Sequence, residues 1–126
     1  MQMKESWPKP LKWVGSSKDD LMEFPDLVRK EMGYALYLAQ IGMKAPKAKP
    51  LRGFGGAGVL EVVNDYRGDT YRAVYSVKFR GMVFVLHAFQ KKAKKGIQTP
   101  KSDIELIESR LRAAAAAYDE YTRSED

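Results

Sequence analysis

The stretch Tyr71–Lys95, YRAVYSVKFRGMVFVLHAFQKKAKK, decides the fold because it contains two consecutive β-strand patterns. Residues 70–78 and 82–91 are rich in Val, Tyr and Phe, and the dipeptide Arg80-Gly81 between them favours a turn. The second run is apolar at successive positions, which is typical of a strand that is buried on both faces. The sequence therefore predicts an antiparallel pair whose second strand lies inside a sheet.

The same part of the chain is strongly basic. No Asp or Glu occurs between Thr70 and Ser102, whereas eight basic residues do: Arg72, Lys78, Arg80, Lys91, Lys92, Lys94, Lys95 and Lys101. A cluster of positive charges on neighbouring strands favours binding of a polyanion, and phosphate is the first candidate.

Patterns on either side of this pair extend the sheet and add a helix. A third strand is predicted over 59–64, with a turn at 66–69 that makes an antiparallel meander. After the basic segment, Thr99 is predicted as an N-cap and Pro100 as the first residue of a final helix. One face of this helix carries an apolar stripe, formed by Ile104, Ile107, Leu111, Ala114 and Tyr118.

The N-terminal part predicts one strand and two helices. Residues 11–14 read as an edge strand, and Ser17 is placed to cap a short helix that continues to residue 23. Pro25 suits the first position of a longer helix, which Gly42 would end in a left-handed conformation. Residues 43–57 are rich in Lys, Pro and Gly and are interpreted as a loop. The order of elements predicts an α+β fold.

Composition limits the classes of function. The 126 residues are expected to form one domain with a flexible segment at 1–10, and the net charge is +6. Without cysteine and with His87 as the single histidine, thiol chemistry and a His-rich metal site are excluded. No run of about 18 apolar residues occurs, so we expect a soluble cytoplasmic protein.

The letters GxGxxG occur at residues 53–58, GFGGAG, but their context differs from that of a dinucleotide-binding turn. Such a turn follows a strand and opens a helix, whereas here a Lys/Pro loop precedes and a strand pattern follows. The glycines are therefore interpreted as a turn. Their amides still lie beside three cations that could approach a phosphate backbone, namely Lys47, Lys49 and Arg52.

Arg72 is the candidate with the most chemistry, because a guanidinium within an apolar strand must be either paired or functional. Alternation along the strands places His87, Phe89 and Lys91 on one face, and Leu86, Ala88 and Gln90 on the other. If helices covered one side only, Arg72 and the Lys91-Lys92 end would lie on or near the open side. A cross-strand pair between Arg72 and Glu61 is the structural alternative.

The remaining candidates also have two interpretations. Lys91, Lys92, Lys94 and Lys95 could form an ordinary solvated turn, but together with Arg72 they favour phosphate binding. His87 lies in VFVLHAF, where a buried and hydrogen-bonded histidine is more common than a catalytic or ligand-binding one.

With these residues in view, the chain resembles toxins of the RelE/ParE superfamily, within the phage-derived HigB-like branch of type II toxin–antitoxin systems. Four segments between about residues 12 and 112 carry the resemblance: FPDLVRKEMGYALYLAQIG, AKPLRGFGGAGVLEV, GDTYRAVYSVKF and VFVLHAFQKKAKKGIQTPKSDIELIESRL. The resemblance implies a RelE-like fold: a β-strand, a helical hairpin, an antiparallel sheet of three further strands and a C-terminal helix.

The resemblance also implies an activity and a partner. It implies a ribosome-dependent mRNA endoribonuclease without metal or cofactor, held inactive by a small helix-turn-helix antitoxin. Arg72, Lys91 and Lys92 are the implied catalytic residues. Residues expected to contact RNA are Lys47, Lys49, Arg52, Lys94, Lys95 and His87.

Two departures from the RelE pattern leave an alternative open. Glu61 stands in a strand where RelE-type enzymes place lysines, and their C-terminal catalytic aromatic has no clear equivalent. A ParE-like inhibitor of DNA gyrase, acting by protein contact without catalysis, is the alternative function.

Overall fold

The computed structural model describes residues 7–92 and 99–125, with side chains described for 7–91 and 99–124. In chain order the strands are β1 (Leu11–Trp13), β2 (Ala48–Pro50), β3 (Val59–Tyr66), β4 (Asp69–Ser76) and β5 (Val83–Lys92). Helices α1 (Ser17–Met22) and α2 (Asp26–Gln40) lie between β1 and β2, and α3 (Lys101–Glu125) follows β5. The predicted α+β class is confirmed.

The five strands form one sheet in the order β1-β5-β4-β3-β2. β1 pairs with β5 in parallel, and the other pairs are antiparallel. β5 is therefore an inner strand and β1 an edge strand, as the sequence predicted. The 66–69 turn is also confirmed, with positive φ at Arg67 and Gly68, as a two-residue type I′ hairpin requires.

The sequence predicted three strands after the two N-terminal helices and missed β2, which lies within the predicted loop. Its three residues pair with β3, with Lys49 opposite Glu61 and Pro50 opposite Leu60. Three residues are too few to show an alternating pattern, and proline is tolerated here because β2 is the other edge of the sheet.

The helix starts differ from the predicted ones by one residue. Ser16, not Ser17, occupies the N-cap of α1, whereas Ser17 is buried and its hydroxyl donates to the Val85 carbonyl at 3.1 Å. Pro25 is the N-cap of α2 rather than its first residue. Gly42 follows the end of α2 with a φ of 82°, as predicted.

The start of α3 also corrects a prediction. The Pro100 carbonyl accepts the Ile104 amide at 3.0 Å, so Pro100 takes the place given to Thr99. The Thr99 hydroxyl instead donates to Glu61 Oε2 at 2.8 Å. The apolar stripe of α3 packs on the sheet as predicted, with Ile107 and Ala114 buried.

Helices lie on both faces of the sheet and form two cores. The first core joins α1 and α2 to one face, through residues that include Val28, Met32, Leu60, Tyr75 and Val85. The second joins α3 to the opposite face, through residues that include Val59, Val74, Phe84, Leu86 and Ile107.

A β-bulge in β5 overturns one part of the predicted alternation. Val74 pairs with His87 and Tyr75 pairs with Val85, so that Leu86 has no opposite residue on β4. Leu86 consequently packs in the α3 core, on the same face as His87, although alternation had placed them on opposite faces.

The N-terminal segment that was expected to be flexible includes residues with fixed partners. The Lys9 amide donates to the Gln40 carbonyl at 2.9 Å, and the Val83 amide donates to the Pro10 carbonyl at 3.0 Å. Across 7–92 and 99–125, no helix combines the length and the apolar character needed to cross a membrane.

Candidate functional site

Arg72 lies in the middle of β4 on the face that α3 packs against. In the sheet register it is opposite Val63 on β3 and Phe89 on β5. Directly opposite residues share a face, so Arg72 and Phe89 lie side by side on this face. Val74, which packs in the α3 core, lies on the same face two residues further along β4.

Arg72 is buried and forms an ion pair with Glu61. Its Nη1 lies 3.0 Å from Glu61 Oε2, and only 4% of the residue is exposed. The expectation that Arg72 lies on or near an open side is therefore wrong. The reason is that helices lie against both faces, and Thr99, two residues before α3, reaches over the sheet to Glu61. The structural alternative, a cross-strand pair with Glu61, is confirmed.

Glu61 is the centre of this polar cluster. Its Oε2 accepts hydrogen bonds from both Arg72 and Thr99, and 14% of its side chain is exposed. One carboxylate thus connects β3, β4 and the start of α3. Charge-assisted hydrogen bonds of this kind are stronger than neutral ones.

The exposed side of Glu61 faces a groove at the β2 edge of the sheet. The groove has a volume of about 470 Å³ and is lined by Pro46, Lys47, Lys49, Glu61, Val63 and Asp65. Lys47 also lies 3.7 Å from Glu31. Two predicted RNA-binding lysines therefore meet at one groove, but two carboxylates line it as well.

Lys91 lies near Arg72 on the same face. It is half-buried and pairs with Thr70, whose hydroxyl donates to Asp65 at 2.9 Å. The backbone of Lys92 pairs with Asp69. The side chain of Lys92, and the whole of Lys94 and Lys95, lie outside the described residues.

Arg52 is not brought together with Lys91. It follows Leu51, whose amide donates to the Val59 carbonyl at the start of β3. Lys91 pairs with Thr70, which in turn pairs with Asp65 on β3. Asp65 lies six residues after Val59, and six residues of a strand span about 20 Å. The structure therefore separates the predicted RNA contact Arg52 from the predicted catalytic residue Lys91.

His87 is buried, which corrects its assignment as an RNA contact. It is 6% exposed, its Nε2 lies 2.7 Å from Asp103 Oδ1, and its ring stacks on Phe89 with centroids 4.6 Å apart. The interpretation as a buried, hydrogen-bonded histidine is confirmed. The pair connects β5 to the first turn of α3.

Sequence reasoning missed three participants of this region, namely Phe89, Thr99 and Asp103. Alternation placed Phe89 with His87 but gave no reason to put it opposite Arg72, because strand register is not visible in the sequence. Thr99 resembled a helix cap, and its 38-residue separation from Glu61 leaves no local signal.

The fold and the buried polar cluster define a small α+β protein with a five-stranded sheet between α1/α2 and α3. The family model of the phage-derived protein Gp49-like family (DUF891) matches residues 19–112, and the chain belongs to this family. This membership agrees with the phage-derived family recognised from the sequence, whereas the toxin role and the HigB-like branch stay predictions.

Comparison with individual proteins adds one solved structure. The chain is similar to a chain of the toxin–antitoxin complex RelBE2 from Mycobacterium tuberculosis, with 20% identity and a TM-score of 0.44. The match covers 70% of this chain and 98% of that chain. Among curated proteins no match was found.

Proposed function

We propose that this chain is the toxin of a type II toxin–antitoxin system and acts as a ribosome-dependent mRNA endoribonuclease. The family supports the toxin class. The observation that carries the enzymatic part is the position of two cations, Arg72 and Lys91, on one face of β4 and β5. Lys91 is opposite Thr70, two residues from Arg72, and such diagonal neighbours are about 7–8 Å apart.

In the proposed reaction the ribose 2′-OH attacks the adjacent phosphorus, the bond to the 5′-oxygen breaks, and a 2′,3′-cyclic phosphate forms. Lys91 is the candidate base once its ammonium has released a proton to solvent: the neutral amine accepts the 2′-OH proton and, as ammonium again, donates a proton to the 5′-oxygen as it leaves. Arg72 would stabilise the charge on the phosphoryl oxygens, without metal or cofactor.

The proposal includes a partner and a compartment. A translating ribosome would present the mRNA, and a small helix-turn-helix antitoxin would hold the toxin inactive, both in the cytoplasm. The lysines of the β2 groove, Lys47 and Lys49, would contact the RNA backbone beside the cleaved bond.

The test is cleavage of a defined mRNA in a translating extract, with the 5′ ends mapped. We expect codon-aligned cuts with the wild-type chain and a loss of about 100-fold in rate for Lys91→Ala. Arg72→Lys retains a cation beside Glu61 but removes the guanidinium, so a similar loss of cleavage rate is expected with the fold intact. Lys18→Ala, an equal change of charge on the exposed face of α1, is the matched control.

Two outcomes would contradict the proposal. One is full cleavage by both the Lys91→Ala and Arg72→Lys variants. The other is gyrase-dependent DNA breakage by the wild-type chain without any cleavage of mRNA, which would establish the ParE-like alternative instead.

A further inference from the structure

The guanidinium that the proposed reaction needs is already bound to an anion. Arg72 is 4% exposed, and Glu61 Oε2 lies 3.0 Å from its Nη1. Arginine stays charged at any accessible pH, so it cannot escape this attraction by losing a proton. An RNA phosphate that approaches Arg72 must therefore compete with the Glu61 carboxylate.

We propose that Glu61 is a positioning residue that controls the availability of Arg72, and that an RNA phosphate takes the place of Glu61 on Arg72 by exchange of ion-pair partners. The inference rests on the proposed function, because it concerns the same guanidinium. It gives a role to the acidic residue that departs from the RelE pattern.

The groove provides a second partner for Glu61. Lys49 is directly opposite Glu61 in the β2–β3 register, and both residues line the same groove of about 470 Å³. Directly opposite side chains on neighbouring strands lie within reach of one another. A rotation of Glu61 towards Lys49 would open the position that the carboxylate holds beside Arg72 Nη1, while the carboxylate keeps a cationic partner.

Thr99 couples this exchange to the start of α3. Its hydroxyl donates to the same Glu61 oxygen that accepts from Arg72, at 2.8 Å. Rotation of Glu61 must break this hydrogen bond too, so Thr99 helps to hold Arg72 in its buried pair. Loss of the Thr99 hydroxyl is expected to favour RNA binding without changing any charge.

The experiment measures the affinity of the full chain for a short single-stranded RNA by fluorescence anisotropy at several salt concentrations. We expect Glu61→Gln to bind about 10-fold more tightly, because the competing charge is removed while an acceptor oxygen remains. Thr99→Val should bind about 5-fold more tightly, the equivalent of one hydrogen bond. Glu61→Asp keeps the charge and should restore the wild-type affinity.

Two further variants separate exchange from general electrostatics. Glu120→Gln removes the same charge from an exposed position on α3 and should leave the affinity unchanged. Lys49→Gln removes an RNA contact in both backgrounds, but it should weaken binding more in the wild-type chain than in the Glu61→Gln background, since only in the wild-type chain does it also remove the second partner of Glu61. A purely structural Glu61 would produce no such coupling.

Equal or weaker RNA binding by both Glu61→Gln and Thr99→Val, with thermal unfolding showing that they are folded, would overturn the inference. If Glu61→Gln does not fold, Thr99→Val alone decides, because it leaves the ion pair intact. Failure of the proposed function is distinguishable: it would appear as absent mRNA cleavage by the wild-type chain while the Glu61 variants still bind RNA more tightly.

Discussion

The two faces of the sheet are stabilised in different ways. The face beneath α1 and α2 is a continuous apolar layer, in which Met32 and Tyr75 are fully buried. The face beneath α3 is apolar only at one end. At the other end it buries a charged pair, Arg72 with Glu61, and a histidine bonded to Asp103.

This difference shows where the core depends on correctly placed partners. Apolar burial stabilises a fold in proportion to area and needs no particular partner. A buried charge is tolerated only when its partner is correctly placed, and an apolar pair of similar volume is often as stable. The polar end of the α3 face is thus the part of the core that folding alone does not require.

The largest expected effect comes from breaking the charged pair. Glu61→Leu should lower the free energy of unfolding by about 3–5 kcal/mol, because Arg72 is left as a buried cation without this carboxylate. The double variant Glu61→Leu/Arg72→Met should recover most or all of the loss. Chemical denaturation of the two variants measures the difference. A double variant as unstable as the single one would contradict the buried charge of Arg72 as the cause of the loss.

A somewhat smaller effect is expected on the apolar face. Met32 has no exposed surface, so Met32→Ala should cost about 3 kcal/mol through lost apolar burial and the remaining cavity. Leu27→Ala on the same helix is the matched control, since Leu27 is 58% exposed and should change stability by less than about 0.5 kcal/mol. Similar losses in both variants would mean that α2 does not pack as described.

The smallest expected change is a gain. The Tyr75 hydroxyl is buried, and within the described part of the chain it has no hydrogen-bond partner, so Tyr75→Phe should raise stability by about 1 kcal/mol at pH 7. Burial also raises the pKa of Tyr75 to about 12 from its usual 10. Between pH 10 and 12 the unfolded chain releases this proton before the native one does, which favours unfolding of the wild type. The advantage of the Phe variant should therefore widen with rising pH in denaturation measurements; a constant difference would show that Tyr75 ionises normally.

The sequence predicted those features that depend on local periodicity. The meander, the edge position of β1, the stripe on α3 and the end of α2 at Gly42 all follow from residue patterns within one segment. Strand β2 was missed because three residues are too few to show an alternating pattern. Leu86 was placed on the wrong face because a β-bulge shifts the alternation and leaves no signal in the local sequence. Thr99 was misplaced because a Thr-Pro pair before an apolar stripe looks the same whether the hydroxyl caps a helix or bonds to Glu61.

For the candidate site, the sequence by itself determined which residues carry charge and which strands hold them. Residue type and strand pattern are sufficient to place Arg72 and Lys91 on adjacent strands. Only the tertiary structure decided that Arg72 is buried, that it forms an ion pair with Glu61 and that Thr99 donates a hydrogen bond to Glu61. The physical reason is that these contacts join residues separated by 11 and 38 positions, and their distances depend on strand register and on helix packing across the sheet.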